Sequence, residues 1–148
     1  SQTVVSVDYA AVQIVKVGEA RGVRHAVWTF RLRVVLATNP IFPLDGVRTR
    51  MAWVNLAPED FGLVTWYDNS TFCKPNPKYY QEILGKIGAA PEECIMVGNS
   101  VSEDMAAGTL GMDVFLANEF VENPDSRDYS GYRQGSLDDA ERYILENR

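Results

Sequence analysis

From residue 33 onward, short apolar runs rich in β-branched residues alternate with amphipathic stretches of helical length. Parallel strands cannot be joined by a tight hairpin and need a crossover, so this alternation is the mark of β-α units and a parallel sheet. Four strands read clearly: Arg33 to Thr38, Leu63 to Tyr67, Cys94 to Gly98 and Asp113 to Ala117. A fifth, Val4 to Val7, precedes them. Helical patterns fall at Leu44 to Asn55, Pro77 to Ile87, Ser102 to Leu110 and Leu137 to Asn147, the last with Ser136 as N-cap. Gly88 and Gly111 stand just past two of these helices, where a left-handed cap favours glycine. Residues 9 to 32 suggest a helix from Ala10 to Arg21 and then lose any clear pattern, and Asn123 to Gly135 reads as a surface loop. The expected fold is α/β: a Rossmann-like three-layer sandwich around a mostly parallel sheet of about five strands.

A chain of 148 residues suits one domain, so a single unit over residues 1–148 is expected, with no evident cap. Twenty acidic against 14 basic residues give a formal charge of −6, which repels nucleic acid and anionic membranes. No apolar run is long enough to span a bilayer, and the start, which opens on Ser1, lacks the pattern of an export signal. Cys73 and Cys94 have neither zinc-site nor disulfide-framework spacing, which fits a reducing, cytoplasmic location. His25 makes no recognisable pairing and reads as structural; Trp28, Trp53 and Trp66 read as packing residues.

Three segments carry polar chemistry at strand ends. The first is VVLATNPIFP, where Thr38 and Asn39 follow a strand at the sheet edge at which α/β folds bind ligands. A turn or capping hydroxyl is the plainer reading of Thr38. The second is FCKPNPKYY, in which Lys74 precedes Pro75 one α-β unit after Thr38, so that the chain has returned to the same edge. Alone, such a lysine is ordinarily solvent-exposed. The third is CIMVGNSVSEDMAAG, which gathers Asn99, Ser100, Glu103 and Asp104 after a strand. Clustered oxygens suit a hard cation such as Mg²⁺, while adjacent carboxylates at a helix start also serve the helix dipole.

Together, and in this order, the three segments resemble the second, third and fourth motifs of the haloacid dehalogenase-like hydrolases. The likeness runs from Val34 to about Pro124 and includes the intervening APEDFGLVTWYDNS and YYQEILGKIGAAPEE. It implies a Mg²⁺-dependent phosphohydrolase acting through an aspartyl phosphate on a small phosphorylated molecule. Thr38, with Asn39 beside it, would bind the transferring phosphoryl group, Lys74 would steady nucleophile and phosphate, and Asn99, Glu103 and Asp104 would hold the metal. On this reading Lys74→Ala abolishes turnover and leaves the fold intact.

The family's first motif, an Asp nucleophile followed two residues later by an acid, is not found. The nearest match is VVSVDYAAV, where Asp8 ends an apolar run but Ala10 stands in place of the acid. Asp8 reads either as a strand-end residue or as the nucleophile. Asn99 also replaces the family's usual Asp. Two other readings therefore stand: a catalytically inactive module of the same fold, and a phosphoacceptor signalling domain. The family's architecture demands a strand between those ending at Thr38 and Gly98; either Val4 to Val7 fills that slot or a strand outside this sequence does.

Overall fold

The computed structural model describes residues 33–147 and the backbone of residues 4–7. Expectations for Asp8, for residues 10–21, for His25 and for Trp28 lie outside the described residues. The strands are β1 (Val4–Val7), β2 (Arg33–Leu36), β3 (Leu63–Val64), β4 (Cys94–Gly98), β5 (Asp113–Ala117) and β6 (Gln134–Gly135). They form one sheet in the order β3-β2-β1-β4-β5-β6, and every pairing is parallel. β1 takes the central slot, with Val5 opposite Val34 on one side and Ile95 on the other. Both edges of the N-terminal strand are thereby paired, which a buried sheet requires.

The continuous apolar runs of β2 and β4 follow from burial on both faces. Val34, Leu36, Ile95 and Val97 pack on one face against Val47 and Met51 of α1 (Leu44–Ala52) and Ala140 and Ile144 of α3 (Leu137–Glu146). Their neighbours Val35, Ala37, Cys94 and Met96 face the other way, against Tyr79, Tyr80, Ile83 and Leu84 of α2 (Pro77–Ile87) and Ala107 of a 3₁₀ segment, Met105–Leu110. The period of two along each strand therefore produces the expected three-layer sandwich. Among the described residues no helix is long and apolar enough to cross a membrane.

Several boundaries differ from the sequence reading. A sixth strand, Gln134–Gly135, lies inside the stretch read as loop, where Leu116 N donates to Arg133 O at 2.8 Å. One polar residue and a glycine carry no alternation to betray it. The helix expected from Ser102 is a turn followed by 3₁₀ structure. Asp104 turns its carboxylate back onto the Ser100 N–H (2.9 Å), a local bond that competes with helical pairing. α1 stops at Ala52, and Asn55 adopts a left-handed backbone (φ 57°). β2 and β3 end at Leu36 and Val64, before Thr38 and Tyr67.

Helix ends follow their chemistry. Asn76 caps α2 by accepting from Lys78 N, Pro77 opens it, and Gly88 closes it at φ 64°. At α3, Ser136 and Asp139 form a reciprocal capping box. The Ser136 backbone N–H, then its hydroxyl, hold the Asp139 carboxyl below its ordinary value.

Two outcomes are expected. Leu36→Ala, at a side chain 2% exposed, should cost about 2–5 kcal/mol by urea unfolding. Because the folded pKa of Asp139 is lowered, its contribution is present above the unfolded carboxylate pKa and is lost as pH falls through the folded value. The stability gap between wild type and Asp139→Asn should therefore hold at neutral pH and close on acidification.

Candidate active site

Parallel pairing sends the carboxyl ends of β1, β2 and β4 to one edge of the sheet, the edge at which open α/β folds bind ligands. Thr38 and Asn39 follow β2, and Asn99 to Asp104 follow β4. The loop carrying Lys74 reaches the same place: Lys74 N donates to Asn39 Oδ1 at 3.2 Å, and Asn39 Nδ2 lies 3.4 Å from Glu103 Oε1. The Asn39 side chain thus braces two loops that are far apart in sequence.

Lys74 is buried, unlike most lysines that precede a proline. Its Nζ donates to Asp104 Oδ1 at 2.7 Å, and neither side chain is exposed. Asp104 Oδ2 accepts from Ser100 N at 2.9 Å. Gly98 makes room for this carboxylate, since a Cβ there would stand 2.2 Å from Asp104 Oδ2. A clasp steadies the loop before Lys74: Glu82 accepts from Thr71 N (2.9 Å) and Thr71 Oγ1 (3.0 Å), and Lys86 donates to Asn69 O. The Thr71 backbone bond lowers the Glu82 pKa.

Asn99 is 7% exposed. Its Nδ2 donates to Phe120 O at 2.8 Å, which turns Oδ1 away from that carbonyl and leaves it buried with no hydrogen-bond partner among the described residues. An orphaned acceptor of this kind costs about 1–3 kcal/mol unless a cation or donor meets it. Among the described residues no three His, Cys, Asp or Glu side chains gather as a metal cage. Mg²⁺ needs no such cage, because it binds through one or two protein oxygens, water and substrate phosphate. Asn99 Oδ1 fits that requirement, and Glu103 and Asp104 follow it within the same segment after β4.

Sequence reasoning missed Thr65, Tyr79 and Tyr80. Thr65 Oγ1 and Tyr79 OH each lie 2.7 Å from Thr38 O, and Tyr80 OH donates to Glu103 O. The available signal was a pair of tyrosines on a helix meant for the core, since buried phenols seek partners.

Burial changes the expectation for Lys74→Ala, because removing the cation strands a charge in the interior. Lys74→Met should cost about 3–5 kcal/mol in urea unfolding, and most of it should return in Lys74→Met/Asp104→Leu. Equal stability of the single and double variants would show that the pair does not behave as a buried charge couple.

A model of haloacid dehalogenase-like hydrolases matches residues 21–110. Over 59 residues, 39% of this chain and 26% of the relative, the sequence is 39% identical to glyceraldehyde 3-phosphate phosphatase of Methanothermobacter thermautotrophicus. The match thus spans about a quarter of that curated relative. Among solved structures, an uncharacterized protein from Listeria monocytogenes serotype 4b superimposes with a TM-score of 0.76 at 11% identity, over 99% of this chain and 98% of that one. A predicted phosphoglycolate phosphatase from Haemophilus somnus 129pt gives 0.69 at 17% identity, over 85% of this chain and 56% of its own. These two share the fold. With the family model matching more than half of its length, the chain belongs to the haloacid dehalogenase-like hydrolases.

Proposed function

We propose that this protein is a Mg²⁺-dependent phosphohydrolase for a small phosphorylated molecule. The observation that carries the reading is the gathering of Thr38, the buried Lys74–Asp104 pair and the orphaned Asn99 Oδ1 at one sheet edge. The curated relative's name, a phosphatase for a small phosphorylated aldehyde, supports the substrate class. In this scheme Thr38, Asn39 and Lys74 receive the phosphoryl oxygens, and Asn99, with Glu103 and Asp104, holds the cation. Bound Mg²⁺ supplies positive charge that offsets the charge of the phosphoryl group.

The nucleophile in the proposal is Asp8, which follows Val7 at the end of the central strand. A carboxylate oxygen bonds to phosphorus as the ester P–O bond breaks, and the alcohol leaves with a proton from water. The hydroxide left by that water hydrolyses the acyl phosphate, returning the carboxylate and releasing inorganic phosphate. Thr38 donates to the phosphoryl group by turning its hydroxyl away from Asn39 O, now 3.0 Å distant. Asp104 orients the Lys74 side chain through their 2.7 Å contact. The rest is positioning and charge stabilisation.

Ala10, in place of the family's acid, favours a second reading, an inactive module that binds phosphate without turning it over. A reducing, cytoplasmic setting goes with this proposal, since the spacing of Cys73 and Cys94 suits neither a disulfide framework nor a zinc site.

Hydrolysis of p-nitrophenyl phosphate should require Mg²⁺ and be abolished by Asp8→Asn. Binding of inorganic phosphate with no hydrolysis under any metal would establish the inactive module instead. Asn99→Asp adds a charge where the neutral oxygen now stands and should tighten Mg²⁺ binding; a calorimetric titration unchanged from wild type would remove Asn99 from the ligand set.

A further inference from the structure

We propose that Tyr79 is a positioning residue for this site, holding Thr38 and Lys74 in fixed relation through one buried side chain. The inference rests on the phosphohydrolase reading. Tyr79 is 1% exposed and projects from α2 beneath the site. Its hydroxyl donates to Thr38 O at 2.7 Å, and Thr65 Oγ1 donates to the same oxygen at 2.7 Å. The two hydroxyls are 3.0 Å apart. A carbonyl oxygen has two lone pairs, so Thr38 O accepts both protons and its bonding is complete.

That double bond fixes the plane of the 38–39 peptide, because a planar trans peptide cannot turn its carbonyl without turning the N–H opposite it. The direction of the Asn39 amide follows from it, and the Thr38 Cα is held at one corner of the same plane. The same aromatic ring lies 5.9 Å from the Lys74 Nζ, within range for a cation to be drawn to its face. Tyr80 meets Tyr79 edge-on at 5.0 Å, and its hydroxyl donates to Glu103 O. Adjacent residues of one helix therefore bolt down the loops after β2 and β4 and contact the lysine between them. None of these groups needs to touch substrate.

The experiment uses the whole chain, with Tyr79→Phe, Thr65→Val and Thr65→Ser as probes. Ile144→Val, in the core on the opposite face, serves as a control for simple loss of stability. Tyr79→Phe should lower kcat for p-nitrophenyl phosphate with Mg²⁺ by roughly tenfold while KM changes little, the signature of lost alignment. Thr65→Val should follow it, and Thr65→Ser, which keeps the hydroxyl, should remain near wild type. Independently of turnover, hydrogen exchange at the Asn39 amide should quicken by roughly tenfold in Tyr79→Phe and not in Ile144→Val. The proposal is overturned if Tyr79→Phe matches Ile144→Val in kcat and in Asn39 exchange, or if Thr65→Ser is as impaired as Thr65→Val. A wild type inert toward the ester would overturn the phosphohydrolase reading, and the positioning role would then stand or fall on the exchange measurement alone.

Discussion

Two opposite charges shut away from water must be held against each other, and the Lys74–Asp104 contact at 2.7 Å imposes that condition on everything around it. Asp104 can reach the lysine only because Gly98 has no side chain. Its second oxygen accepts from the Ser100 N–H, where the chain turns. Lys74 is delivered by a loop braced at Asn39 and clasped to α2 by Glu82 and Lys86. The pair thus explains why the segment after β4 is turn and 3₁₀ structure and not the helix its composition suggests.

The fold was legible where burial writes a pattern. β2 and β4 are buried on both faces and stand out as apolar runs, while α2 announces itself by Pro77 at its start and Gly88 at its end. The centrality of Val4–Val7 followed from architecture: a gap between the strands ending near Thr38 and at Gly98 would strand backbone groups, and the four residues fill it. β6 was illegible because it contributes two polar-backbone pairings and no apolar face.

The site was legible as chemistry but not as packing. Thr38, Asn39, Lys74, Asn99, Glu103 and Asp104 could be picked out because polar residues directly after apolar strands meet at one edge. What sequence could not convey is that Lys74 is enclosed, that Asn39 spends its amide on two loops, or that Thr65 and Tyr79 share one carbonyl. Such facts depend on side-chain direction across elements distant in the chain. Membership of the hydrolase family removes the phosphoacceptor signalling domain from consideration.

The central place of β1 also sets an order of assembly. Its partner Val34 lies 29 positions after Val5, but its other partner, Ile95, lies 90 positions away. The hydrophobic layers on both faces include residues of β2 and β4 together. The sheet therefore cannot close until the chain has been made past β4, and contacts so distant are slow to form. During synthesis, Val4–Val7 can meet β2 before β4 has been made, and over that interval it lacks the partner that Ile95 supplies on its other side.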